Sequence, residues 1–191
     1  MKDYDYSFIP ADAYTDADRD AITGLWLSVW PDHSREYYGE KMARTAEISG
    51  ELPAGYPVFR VKDAAVAAAL IFPREIRTPR GSLTLMALSG VCVRSDLRGQ
   101  GLGAGVVRKA FSFVGQGLYR VSLFQTSYRV APFYESLGCR RVDNPFINSL
   151  TPDKADPEAL RRSVFWDDVV MIYPAGFDWP AGQIDLCGPA Y

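Results

Sequence analysis

Histidine is nearly missing from this chain: His33 is the only one. A multi-histidine metal site is therefore excluded, and a histidine-activated nucleophile has a single candidate partner. The three cysteines, Cys92, Cys139 and Cys187, are odd in number and lack metal-ligand spacing. Reduced thiols in a cytoplasmic chain are the simplest account. A surplus charge is missing too, since 21 lysines and arginines stand against 23 acidic residues for a net charge of −2. That balance leaves no polyanion-binding footprint, so nucleic acid is not an expected partner. No apolar run approaches the roughly 20 residues that span a bilayer. The opening Met1-Lys2-Asp3-Tyr4-Asp5 does not read as a signal peptide, so no membrane partner is expected. Repeats, linkers and low-complexity tracts are absent as well. With 191 residues the chain reads as one domain over 1–191, long enough for a real core.

What is present is concentrated in Val91-Cys92-Val93-Arg94-Ser95-Asp96-Leu97-Arg98-Gly99-Gln100-Gly101-Leu102-Gly103-Ala104. A hydrophobic strand ends at Val93, and a glycine-rich turn opens an amphipathic helix. Glycines let backbone N–H groups approach a ligand closely, and the first N–H groups of a helix have no intrahelical partner. The helix dipole adds partial positive charge, so the turn is suited to a phosphate or pyrophosphate. A P-loop is excluded because no Lys-Ser or Lys-Thr pair follows these glycines. A dinucleotide fingerprint fails on two counts. Five residues separate Val93 from Gly99, and residues 118–128 hold no acid for a ribose.

Periodicity places the other elements. A strand is expected at 6–9, then a helix opened by Thr15 with Asp16 and Asp18 in its first turn. Ile22, Leu25, Trp26, Val29 and Trp30 recur along it at helical spacing until Pro31. A second helix is expected from Ser34 to about Ile48. Strands follow at 58–62 and 65–72, then a turn at Thr78-Pro79-Arg80-Gly81 into a strand at 83–93. The helix after the glycine turn carries Leu102, Val106, Ala110 and Val114 on one face, and later strands are expected at 119–125, 140–143 and 169–173. A short helix with Pro132 in its first turn and Gly138 past its end fits residues 129–139. Residues 151–163, polar with two prolines, read as a surface excursion of one or two helical turns.

Two of these segments resemble the GNAT superfamily of N-acyltransferases. The first is Val93 followed by Arg98-Gly99-Gln100-Gly101-Leu102-Gly103. The second is Arg129-Val130-Ala131-Pro132-Phe133-Tyr134-Glu135-Ser136-Leu137-Gly138, with Ser127 where the family often has Asn. The resemblance implies an α/β (α+β) fold: a mixed, mostly antiparallel twisted sheet of six to seven strands, flanked by about four helices and splayed between its central strands. It implies acetyl-CoA as donor and no metal. The amides of Val91, Cys92 and Val93 would hold the pantetheine and thioester oxygen, and Arg98, Gly99, Gln100, Gly101, Leu102, Gly103 and Ala104 the pyrophosphate. Ser127 would assist in donor binding, and Tyr134 would protonate the leaving sulfur as general acid. Cys92, in mid-strand, reads as a small buried hydrophobe rather than a nucleophile.

The sequence departs from the family at the general base. Leu85-Met86-Ala87-Leu88-Ser89-Gly90 carries no carboxylate, and Ser89 stands in the usual slot. Either a carboxylate comes from another element, or the amine arrives neutral through a water chain.

More narrowly, Gly90 to Arg94 and Arg98 to Gln100 resemble aminoglycoside 2'-N-acetyltransferases. The tail from Phe177-Asp178-Trp179-Pro180-Ala181-Gly182, with Asp185 and Gly188-Pro189, also resembles rhizobial nodulation N-acyltransferases. That implies a small-molecule primary amine as acceptor, the 2-amino group of an amino sugar or aminoglycoside among the candidates, with a tail at about 175–191 packing near it. A homodimer is compatible with this. Asp178 would then pair with an ammonium while Trp179 stacks on a sugar face; otherwise Trp179 fills the core and Asp178 is a solvated charge. Two further readings stay open: long-chain acyl transfer from CoA or a carrier protein, and a non-catalytic acyl-CoA-binding regulatory module.

Overall fold

The computed structural model describes residues 4–48, 50–150 and 164–191. They form nine strands and four helices. In chain order these are β1 (Asp5–Pro10), α1 (Asp16–Val29), α2 (Arg35–Ile48), β2 (Gly55–Val61), β3 (Ala64–Thr78) and β4 (Gly81–Val93). Then come α3 (Leu102–Gly115), β5 (Ser122–Thr126), α4 (Ala131–Glu135), β6 (Arg140–Val142), β7 (Phe146–Ile147), β8 (Val169–Tyr173) and β9 (Ile184–Asp185). The hydrogen-bonding order is β1-β2-β3-β4-β5-β8-β6, with β9 paired to β3 and β7. Pairing is antiparallel for β1/β2, β2/β3, β5/β8 and β6/β8, and parallel for β4/β5. The sequence leads to six or seven strands; the structure adds the two-residue β7 and β9, too short to show any alternation. The expected excursion at 151–163 lies outside the described residues. Among those described, no helix is long and apolar enough to cross a membrane.

The residues group into two compact units. One comprises the chain up to Pro73 together with Leu88–Leu118, the other Arg74–Ala87 with Tyr119–Tyr191. In the first, Thr15 caps α1 through a capping box with Asp18, satisfying otherwise orphan backbone donors. Its apolar spacing buries Ile22, Leu25 and Trp26, and α2 buries Tyr38, Met42 and Thr45. Residues 65–72 of β3 are buried without a break, as in a strand covered on both faces. Helix α3 turns Val106, Val107, Ala110 and Phe111 inward. It lies close to β2: a Cβ on Gly105 would stand 3.1 Å from the Phe59 ring.

The second unit has its core among Leu85, Leu123, Ile172, Trp179, Ile184 and Leu186. The parallel ladder of β4 with β5 comprises Met86↔Ser122 and Ala87↔Leu123. Strand β4 runs on to Val93 and β5 to Thr126 outside that ladder.

Candidate active site

The glycine segment of the first unit forms an anion cradle. After Val93 the chain makes one 3₁₀ turn, Ser95–Leu97, pinned by buried Leu97 and by a two-pronged Arg94–Asp96 ion pair at 2.7 and 3.0 Å. Gly99 and Gly101 then adopt φ of +79° and +82°, a left-handed conformation that glycine alone takes without strain. Gly101 is the N-cap of α3 and accepts the Gly105 N–H at 2.9 Å. No side chain caps this helix end among the described residues, so its first N–H groups face outward. A Cβ built on Gly99 or Gly101 meets nothing within 4 Å. Space therefore stands open above the loop, and backbone conformation rather than protein packing requires these glycines. Gln100 accepts a hydrogen bond from the Tyr4 hydroxyl at 2.7 Å, which fixes the loop's outer edge. Arg98 is exposed and forms no ion pair among the described residues. Uncapped amides, the helix dipole and an exposed cation suit a pyrophosphate.

Upstream, within β4, Gly90 takes a left-handed φ of +59°. Trp26 of α1 donates its indole N–H to the Gly90 carbonyl at 3.1 Å, and a Cβ at Gly90 would lie 3.2 Å from that ring. Cys92 beyond it is buried, and burial pushes its thiol up to about 12. It stays neutral, as a small packing group and not a nucleophile. Ser89, just before that glycine, is buried, and its Oγ accepts a hydrogen bond from Lys41 Nζ at 3.1 Å. Sequence reasoning missed Lys41. The signal was there: Tyr38, Lys41, Met42 and Thr45 follow the i, i+3, i+4, i+7 spacing of one helix face.

The second unit holds the other expected residues. The Ser127 carbonyl accepts N–H bonds from Val130 and Ala131 at 3.0 and 2.9 Å, starting the turn into α4. Gly138, at φ +87°, ends that helical segment, with Cys139 N–H returning to the Tyr134 carbonyl at 3.1 Å. Tyr134 is buried against Phe124 and Phe133, at ring distances of 4.6 and 5.0 Å. Burial, with smaller contributions from Cys139 and Asp167, raises its pKa, so the hydroxyl keeps its proton at neutral pH.

The tail bears on the two readings of Asp178 and Trp179. Trp179 is 8% exposed, sits in the core of the second unit, and donates its indole N–H to Asn144 Oδ1 at 2.7 Å. Its ring is used up in packing and offers no platform to a sugar. Asp178 is 85% exposed at its side chain, but Arg80 holds both its oxygens, at 2.6 and 3.3 Å. The same arginine lowers its pKa through that hydrogen bond and its charge. Asn144, also missed, ties the tail down by donating to the Pro180 and Gly182 carbonyls at 2.9 and 2.7 Å. An open cleft of about 400 Å³ between Tyr128, Arg141, Asp143 and Asp168 contains none of the expected residues. Among the described residues, no group of three or more His, Cys, Asp or Glu side chains could hold a metal.

This architecture is widely shared among solved structures. A GNAT-family acetyltransferase from Staphylococcus aureus Mu50 is similar with a TM-score of 0.59 at 11% identity, over 90% of this chain and 99% of its own. An acyl-CoA N-acyltransferase from Pseudomonas aeruginosa gives 0.55 at 14% identity, over 73% and 89% of the two chains. A GCN5-related N-acetyltransferase from Kribbella flavida gives 0.58 at 16% identity over 72% of this chain, which spans only 33% of that longer protein. Such identities speak for the fold alone. No curated protein matches the sequence. Residues 18–139, more than half of the chain, match the family model of the Acetyltransferase (GNAT) family, and they contain both the glycine cradle and the Tyr134 helix. On that match the chain belongs to the GNAT acetyltransferase family.

Proposed function

We propose that this protein transfers an acetyl group from acetyl-CoA directly to a small-molecule primary amine. The observation that carries the reading is the cradle: outward N–H groups at the start of α3, left-handed glycines under open space, and the exposed Arg98 beside them. Gly99 to Ala104 would take the pyrophosphate with Arg98. Val91 to Val93 would present strand amides to the pantetheine and to the oxyanion that develops when an amine attacks the thioester. Holding donor and acceptor in line supplies most of the acceleration in such a direct transfer. Tyr134, kept protonated by burial, would give its proton to the departing sulfur. Ser127 would contribute to the donor site from the turn before α4. The amino-sugar acceptor rests on the tail's resemblance, since Arg80 and the core now engage Asp178 and Trp179.

Calorimetric titration with acetyl-CoA tests the donor site, with Arg98→Glu as control. Saturable binding that the variant loses is expected. Thiol release is then followed over a panel of simple amines and glucosamine. Tyr134→Phe should lower kcat by roughly 10²–10⁴ with donor affinity kept. Binding without turnover of any amine would favour the non-catalytic module. Absent binding in folded protein would favour a longer acyl donor or a carrier protein.

A further inference from the structure

Amine acylation needs a proton acceptor, and residues 85–90 of β4 carry no carboxylate. They carry Ser89, 9% exposed, with Lys41 Nζ at 3.1 Å from its Oγ. Both lie in the first unit, Lys41 on α2 and Ser89 on β4. Ser89 precedes Val91 by two residues, a chain length of at most about 7 Å. Its Cα therefore lies within that distance of Val91, whose strand amides are the ones assigned to the thioester.

Lys41 is partly buried on the inner face of α2, and no carboxylate lies within ion-pair distance among the described residues. Burial lowers its pKa to about 8, and the Arg44 charge on the same helix acts in the same direction. Around it, Tyr38 on α2 and Cys92 on β4 are each pushed up to about 12 by burial and stay neutral. Arg98 is the cation that acts on that thiol. Helix α1 contributes the Trp26 ring, 5.2 Å from Tyr38, with its N–H already held by Gly90. None of these groups supplies an anion to keep the lysine charged. A neutral lysine has a lone pair, and among the described residues the hydroxyl bonded to it is that of Ser89.

We propose that Ser89 and Lys41 are the proton relay of the transfer, Ser89 meeting the amine and Lys41 acting through it as a positioning residue. The inference rests on the acyltransferase reading above. As the amine lone pair forms the new C–N bond, the amine proton passes to Ser89 Oγ and the Ser89 hydroxyl proton to Lys41 Nζ. The C–S bond breaks with its electron pair leaving on sulfur, which takes the Tyr134 proton. Solvent then removes one proton from Lys41 and returns one to Tyr134. The pair thus fills the place that a strand carboxylate would hold.

The test compares wild type, Ser89→Ala, Lys41→Met and Lys41→Arg in thiol release from acetyl-CoA, with glucosamine and simple primary amines, across pH. Wild-type kcat/KM should rise through an apparent pKa near 8. Each variant should bind acetyl-CoA normally by calorimetry, lose roughly 10²-fold or more in kcat/KM, and lose that limb. The acceptor's own titration is common to all four and cancels in the comparison. Arg keeps the charge but does not release its proton. Rescue by Lys41→Arg would mean that a fixed cation suffices, and would overturn the relay. An independent readout is the ¹³C-methyl NMR titration of the reductively methylated protein, in which Lys41 is one of five lysines and is assigned from the variants. A Lys41 signal titrating near 8 is expected; one near 10.5 overturns the relay whatever the activity. Unchanged rates and pH profile in the variants of an active enzyme would sink the relay alone. A wild type that neither binds acetyl-CoA nor turns over any amine would sink the acyltransferase reading itself.

Discussion

A lysine held away from water without a carboxylate costs stability, and that cost has a sign that pH can reveal. Lys41 falls from 10.5 in the unfolded chain to about 8 in the folded one. Between those values the unfolded state binds more protons, so stability rises with pH across the window. The penalty is fully present below about 8, fades as pH rises from 8 to 10.5, and is gone above that. Its ceiling is on the order of 3 kcal/mol, less whatever solvent reaching the half-buried ammonium screens. Lys41→Met removes the titration. The variant should therefore gain on wild type at pH 7, and that advantage should shrink between about pH 8 and 10.5 in urea unfolding curves. A difference flat in pH would mean that the lysine titrates alike in both states. A group kept at such a cost is more readily explained by chemistry than by packing.

At the scale of elements, the turn between β4 and α3 carries the proposed donor site. Gly101 sits at φ +82° with no protein atom near a built Cβ. Gly101→Ala should thus cost only the left-handed backbone, about 1–2 kcal/mol, seen as a Tm lower by about 2–8 °C. Its methyl would stand in the open space over the amides. Acetyl-CoA affinity should fall by about tenfold or more, the loss of one charge-assisted hydrogen bond. Unchanged affinity in the calorimeter would place the pyrophosphate elsewhere. This element was legible because positive-φ glycines and a helix start leave a local signature. The same holds for α1, bounded by Thr15 and Pro31, and for α2, opened by Ser34. Strand β3 was read too short because it runs on past the buried stretch to Thr78, through residues exposed in part. Lys41 was overlooked because lysine is rarely buried, although the helical period put it on the inner face. The choice between the two readings of Asp178 and Trp179 was not legible because their partners, Arg80 and Asn144, are distant in sequence.

For the molecule as a whole, the tail is a structural part of the second unit. Arg74 donates to the Leu186 and Pro189 carbonyls at 2.9 and 3.1 Å, and Arg140 to those of Ala175 and Phe177 at 2.8 and 3.2 Å. Tyr191 is buried and donates its hydroxyl proton to the Leu123 carbonyl at 3.0 Å. Within this framework Trp179 fills the core while Asp178 lies at the surface, so the two neighbours should behave oppositely. Trp179→Ala empties a large buried volume and strands Asn144 Oδ1, a cost of about 3–5 kcal/mol. For a chain of 191 residues that lowers Tm by about 6–20 °C. Asp178→Asn breaks an exposed ion pair that water and salt screen, so its Tm should barely move. Thermal scans of both variants, set beside KM for glucosamine and for simple amines, separate architecture from recognition. A large Tm loss in Trp179→Ala with no acceptor-selective KM change in Asp178→Asn is expected. If Asp178→Asn instead raised KM for glucosamine alone, Arg80 would have to release Asp178 to the acceptor, and the tail would belong to the acceptor site after all.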